Sequence, residues 1–289
     1  MEITASMVKD LRERTGAGMM ECKKALTENS GDIEAAIDFL RKTGVVKAAK
    51  RSSKIAAEGV ITLVAEKNNH KALMAEFNSE TDFVARGDDF IEFANRIAQA
   101  ALENDAADIE AMNNLTIDGK SVEDIRQGLI AKMGENIQLR RMILLESSGV
   151  VGSYLHNGRI GVLVALDKPE LELAKEIAMH IAAMRPIAVS GDDIPEELVA
   201  REKEVFTAQA KESGKPDNII EKMIGGRINK FLNENSLLGQ PFVKDPEKTV
   251  GDLLKAHQAK VLSFMRYEVG EGIEKEESNF AEEVMEQLK

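Results

Sequence analysis

Gly59-Val60-Ile61-Thr62-Leu63-Val64-Ala65-Glu66, the polar step Lys67-Asn68-Asn69-His70, and Lys71-Ala72-Leu73-Met74-Ala75-Glu76-Phe77 decide the fold. Two short apolar runs either side of a polar turn read as paired strands. Asp89 to Leu102 then returns to helical spacing, with Phe90, Phe93, Ile97 and Ala101 on one side. The same plan recurs further on. Gly149 to Leu155, the turn His156-Asn157-Gly158 and Arg159 to Ala165 form a second hairpin pattern, and Leu171 to Met184, with Leu173, Ile177, His180 and Ile181, a second helix. A hairpin followed by a helix, met twice, predicts an α+β core built from two related halves.

Working outward, Ser121-Val122-Glu123-Asp124 has capping-box spacing and opens a helix ending at Gly134, followed by the alternating strand Ile137 to Leu145. Upstream, three short helical patterns (Thr4 to Arg14, Met19 to Glu28, Asp32 to Lys42) have Thr4 and Asp32 as N-caps and Gly31 and Gly44 as punctuation. They predict a three-helix module over residues 1–46, near the lower size limit for independent folding. Lys47 to Lys54 carries four positive charges without an apolar stripe and reads as linker, taken as 47–58. Residues 59–145 form the first half of the core, and 146–190 with 236–269 the second. The second half is interrupted by 191–235, where two helical patterns flank Ser213-Gly214-Lys215-Pro216, an antiparallel helical hairpin that could serve a dimer. Residues 270–289 end in an acidic helix carrying Phe280, Val284 and Leu288.

Composition bounds the chemistry. With 289 residues, 43% hydrophobic and 30% charged, the chain has ample material for packed cores. Its 38 Lys+Arg against 50 Asp+Glu give a net charge of −12, which repels phosphate backbones and argues against a nucleic-acid surface. The charge is uneven: residues 1–57 hold 11 basic and 8 acidic residues, the remainder 27 and 42. Cys22 is the only cysteine, so no intramolecular disulfide and no thiolate zinc cage can form. No apolar run approaches the roughly 20 residues that span a bilayer, and the expected location is the cytoplasm.

The search for catalysis is negative. Gly119-Lys120-Ser121 imitates the end of a P-loop, but Asn114 stands where the first glycine belongs, so it reads as a turn before a helix cap. Gly16-Ala17-Gly18 has no strand before it and reads as a connection between helices. His70, His156, His180 and His257 are scattered, without metal-ligand spacing. No enzyme and no cofactor are expected. Three binding candidates remain. Met19-Met20 point about 100° apart on a helix, and a three-helix core holds only one of them fully. Phe83 and Val84 lie among charges in Ser79 to Arg86, as a plug onto the local core or an anchor for a partner. Gln240-Pro241-Phe242-Val243 is similar in kind, or simply re-enters the core.

Thr15-Gly16-Ala17-Gly18-Met19-Met20-Glu21-Cys22-Lys23-Lys24-Ala25-Leu26, Glu80-Thr81-Asp82-Phe83-Val84-Ala85-Arg86 and Gly270-Glu271-Gly272-Ile273 closely resemble the bacterial translation elongation factor Ts family, the guanine-nucleotide exchange factors of elongation factor Tu. The resemblance covers essentially the whole chain. It implies a ubiquitin-associated-like N-terminal domain, a two-subdomain core, a helical-hairpin dimerization or coiled-coil insert and a C-terminal helical module. It further implies that Thr81, Asp82, Phe83 and Val84 enter the partner's GTPase domain, with Phe83 as a wedge whose insertion dislodges the bound Mg²⁺. Met19, Met20 and Lys23 would pack on another helix of that domain. Met133, Gly134, His156 and Val243 would supply further contacts. The implied partner is elongation factor Tu, GDP-bound and nucleotide-free, with a homodimer through the hairpin left open. The sequence departs from the family pattern at Gly87-Asp88-Asp89 and at Ile187-Ala188. Two rivals remain: an adaptor whose activity sits in residues 1–57, and acid–base chemistry at His156 or His180.

Overall fold

A computed structural model describes residues 3–212 and 216–274. The chain forms two compact units, Met1–Val60 with Ala75–Met142 and Glu268–Lys289, and Ile61–Met74 with Ile143–Tyr267. The C-terminal helix expected at Phe280, Val284 and Leu288 lies outside the described residues, as does Ser213-Gly214-Lys215.

Helices α1 (Ala5–Thr15), α2 (Met19–Glu28) and α3 (Ile33–Arg51) open the first unit. The Thr4 and Asp32 side chains accept the amides of Met7 and Ala35, so both predicted caps are formed. Val8, Leu11, Cys22, Ala25, Leu26 and Ala36 make a small core. One boundary differs from expectation. α3 runs through Gly44 to Arg51, so the basic stretch read as linker begins in helix. The reason is long-range: Gly44 is buried, with room for a Cβ only 3.5 Å from that of Ala131, so packing on a later helix offsets its poor helix propensity.

Strands β1 (Glu58–Ala65) and β2 (Lys71–Ser79) precede the one-turn helix α4 (Asp82–Ala85) and α5 (Asp88–Glu103). Phe90 and Phe93 on α5 meet each other at 6.4 Å, and Phe93 meets Phe77 of β2 edge-on at 5.9 Å. After α6 (Ile109–Asn113), the two-residue strands β3 (Thr116–Ile117) and β4 (Lys120–Ser121) pair and lead into α7 (Val122–Met133). The capping box anticipated at Ser121 is half formed. Ser121 Oγ accepts the Asp124 amide, while the Asp124 carboxylate lies 3.6 Å from Arg41. β5 (Ile137–Glu146) returns beside β2, giving the sheet order β1-β2-β5.

The next elements are β6 (Val150–His156), β7 (Ile160–Leu166) and α8 (Leu171–Met184). Asn157 and Gly158, the two central residues of the turn closed by the Arg159 N–H to His156 O bond, both have positive φ. His156, expected within the turn, is the last residue of β6, opposite Ile160. α9 (Glu196–Lys211) and α10 (Asp217–Asn235) pack together as the inserted pair. β8 (Pro241–Phe242), β9 (Asp245–Thr249), α11 (Val250–Ala256) and β10 (Val261–Glu268) complete the unit, with sheet order β10-β7-β6.

The two halves share more than a hairpin and a helix. Each continues with a small strand pair and a Ser- or Thr-capped helix, and each returns a strand beside the second member of its hairpin. Lys120-Ser121-Val122-Glu123-Asp124 and Lys248-Thr249-Val250-Gly251-Asp252 occupy matching places, with Val122 and Val250 buried. Gly119-Lys120-Ser121 is therefore a helix start that the chain uses twice. At Thr249 the capping box is complete, Asp252 Oδ2 accepting from both the Thr249 amide and hydroxyl.

Candidate functional site

Phe83 sits on α4, a helix too short to persist by itself. It is fixed at both ends. Thr81 caps the helix through the Val84 amide, and the Thr81 N–H and Oγ1 donate to the two carboxylate oxygens of Glu135 at 3.0 and 2.6 Å. Ser79 Oγ donates to Thr81 O, and at the other end Arg86 pairs with Asp82 at 3.0 Å. Ala85 is buried, and Phe83, two residues earlier, points about 200° away around the helix. The ring is 86% exposed. A plug onto the local core is thereby excluded, and Phe83 stands as an apolar projection on a rigid base.

Glu135 follows Met133-Gly134, so the same carboxylate brings that pair next to the Phe83 helix. Gly134 ends α7 in the left-handed conformation and is exposed, while Met133 is half-buried. Beneath them Glu80 accepts the Asn136 amide at 2.6 Å and pairs with Arg51 at 3.3 Å. Lys132 pairs with Asp89 at 2.6 Å, and Gly87 is the N-cap position of α5. The Gly87-Asp88-Asp89 departure thus lies in the joint that follows the projecting helix. Sequence reasoning missed Glu80, Glu135 and Asn136. The Thr81–Glu135 and Glu80–Asn136 bonds span more than 50 residues, and only a Glu directly after a helix-ending glycine hinted at them.

On α2, Met19 and Met20 are both exposed, at 60% and 75%. The expectation that one would be buried fails because the core beneath is filled by Cys22, Ala25 and Leu26, leaving neither methionine facing inward. Lys23 is exposed beside them. Glu21 pairs with Lys47, tying α2 to the extended α3.

In the second unit, His156 is exposed at the end of β6, with Tyr154 Oη and Asn157 Nδ2 each 3.3 Å from a ring nitrogen. Val243 is exposed in the turn after β8, whereas its neighbor Phe242 enters the core. The Gln240 to Val243 segment thus both re-enters the core and leaves one apolar residue outside. Ile187 N donates to Asn235 O and Ala188 bridges Ser236, so the second departure closes the base of the inserted helix pair.

A second charged construction ends the first unit. The Glu76 carboxylate is fully buried and accepts from Arg140 (2.9 Å), Arg141 (2.6 Å), Asn78 (3.0 Å) and the Gly270 amide (2.8 Å). Burial pushes its pKa up, but the Gly270 amide, Asn78 and the two guanidinium groups together hold the carboxyl below the usual carboxylate range. Arg140 also donates to Glu271 O and Arg141 to Glu268 O. Gly270 has φ +76°, and a Cβ there would lie 2.4 Å from Ala57 O, so only glycine fits.

A protein-family model for "Elongation factor TS" matches residues 80–271. This chain belongs to the elongation factor Ts family. It is 58% identical over 289 residues to "Elongation factor Ts" of Coxiella burnetii strain RSA 493, covering 99% of this chain and 98% of the relative. Identity is 57% over 291 residues with the protein of that name from Thioalkalivibrio sulfidiphilus (100% and 99% covered) and 57% over 288 residues with that of Legionella pneumophila strain Paris (99% and 99%). Membership makes it a translation elongation factor, active in protein biosynthesis. The elongation factor Ts match begins at Glu80, beneath the Phe83 helix, and ends at Glu271, held by Arg140 and Arg141. Among the described residues no helix is long and apolar enough to cross a membrane.

Proposed function

We propose that this chain is the guanine-nucleotide exchange factor of elongation factor Tu. It binds the Tu–GDP complex, promotes GDP release and is displaced when GTP binds. Family membership supports the role, and the observation that carries the mechanism is Phe83, 86% exposed on a helix pinned by Glu135. A rigid apolar projection enters a cleft without first losing conformational freedom, which favors insertion. The wedge, with Asp82 as its polar companion and Thr81 and Val84 flanking it, disturbs the partner's Mg²⁺ site. Mg²⁺ neutralizes phosphate charge, so displacing it weakens GDP binding. By thermodynamic reciprocity, tighter binding to nucleotide-free than to GDP-bound Tu lowers Tu's affinity for GDP by the same factor.

Met19, Met20 and Lys23 supply a second, adaptable apolar contact with a positive charge beside it. Met133 and Gly134 extend the Phe83 surface, and His156 and Val243 act from the second unit. Release of a fluorescent GDP from Tu at fixed free Mg²⁺, with wild type and Phe83→Ala, tests the proposal. Wild type accelerates release, and the substitution removes most of that acceleration, about tenfold or more for a central apolar anchor. Acceleration unchanged by Phe83→Ala would keep exchange and reject the wedge; no acceleration by wild type would reject both.

A further inference from the structure

His180 is fully buried on α8, and both of its ring nitrogens are engaged. Nδ1 lies 3.2 Å from the Val243 backbone nitrogen, which has only a hydrogen to offer, so Nδ1 is the acceptor. Nε2 lies 2.9 Å from Gln240 Oε1 and is the donor. The Gln240 amide group donates in turn to Glu234 O at 2.8 Å and Met184 O at 3.4 Å, which fixes its own orientation. Phe242 packs against the imidazole at 5.9 Å between ring centers. One neutral ring in one tautomer therefore joins α8 to the residues either side of β8, Gln240 before it and Val243 after it, and through Gln240 to the end of α10. Of the charged side chains on these elements, Glu176 pairs with Lys244 at 3.0 Å and Glu234 with Lys230 at 3.6 Å. Both nitrogens being occupied by structural partners, acid–base chemistry at His180 is excluded.

Phe242 anchors the turn through the core, but burial of one residue does not set the rotation of the next. The Val243 amide bond does, because it orients the peptide plane from which the exposed Val243 side chain projects. We propose that His180 is a positioning residue for partner binding: its neutral ring fixes the Gln240–Val243 segment and presents Val243 at the surface to elongation factor Tu. This rests on the exchange-factor reading above and adds to it a residue that never touches the partner.

Two conservative variants separate the ring's two bonds. His180→Asn places an acceptor near the Nδ1 position and can keep the Val243 amide bond, whereas His180→Gln keeps a donor near Nε2 and loses it. The expected result is that His180→Gln weakens binding to nucleotide-free Tu about fivefold, the order of one lost hydrogen bond, and that His180→Asn recovers most of this. His180→Gln combined with Val243→Ala should cost little more than Val243→Ala alone, since both remove the same contact. Long-range ¹H–¹⁵N NMR of wild type should show protonated Nε2 and bare Nδ1, with slow hydrogen exchange at the Val243 amide. Melting temperatures keep folding losses apart from binding losses. Equal binding by both variants, multiplicative loss in the double variant, or a proton on Nδ1 would overturn the positioning role. Wild type that fails to speed GDP release would instead remove the reading on which it rests.

Discussion

Phe83 and Glu76 are opposite uses of one residue each. Phe83 leaves a large apolar ring in water, so Phe83→Ala should leave the unfolding free energy within about 0.5 kcal/mol of wild type, as for surface positions generally, while exchange collapses. Chemical denaturation beside the GDP-release assay checks this separation. Glu76 does the reverse. Glu76→Gln leaves Arg140 and Arg141 without their shared carboxylate and should destabilize the protein by about 3–5 kcal/mol, measured by the same denaturation. Legibility divided along the same line. Phe83 was marked by its family motif and by an aromatic residue among charges, whereas Glu76 sat in a strand pattern where its alternation gave no sign of a charged partner. Arg140 and Arg141, more than 60 residues away, are what make its burial tolerable, and no local pattern reports such a partner.

For the elements, the hairpins and the helices after them were readable because period-2 and period-3.6 patterns are local. The end of α3 was not, because Gly44 signals a stop locally and is overruled by packing on α7. Gly119-Lys120-Ser121 reads locally as a turn before a helix cap, and its match to the Lys248-Thr249 start, over 120 residues on, emerges only from their equivalent places in the fold. Two measurements belong here. Thr81→Ala removes the cap of α4 and one of its bonds to Glu135; it should destabilize by about 1 kcal/mol and slow exchange without touching Phe83 itself. Denaturation and GDP release on the one variant check both. Gly152 of β6 faces α8, and a Cβ there would lie 2.4 Å from Ala174 Cβ and 2.6 Å from its backbone carbon. Gly152→Ala must displace helix backbone and should lower stability by about 1–3 kcal/mol, read from the thermal midpoint.

At the level of the whole molecule, the two units carry different acid-sensitive groups. His180, in the second, is held below the ordinary histidine value of 6.5 by burial, partly opposed by its bond to Gln240. A depressed histidine binds protons more readily unfolded than folded, so its full contribution is present above pH 6.5 and is lost as pH falls from there toward the folded value. Glu76, in the first, is depressed from 4.5, so its contribution is retained down to that region and lost only as pH falls further. Acidification should therefore loosen the His180 surroundings first. Hydrogen exchange corrected for intrinsic rates should show falling protection in α8 and β6–β7 between pH 7 and 5.5, with β2 and β5 around Glu76 unchanged until below pH 4.5. Simultaneous loss in both would contradict the assignment.

At the base of the inserted helix pair the backbone closes on itself: Leu237 N donates to Ala188 O at 2.9 Å and Leu238 N to Val189 O at 3.0 Å. Two chain ends already held side by side form a natural socket. Excising α9 and α10 and joining the ends by a short turn would incur little additional loop-closure entropy, and a foreign domain with adjacent termini could be spliced in at the same place. The second unit is thus a ready host for a reporter insertion.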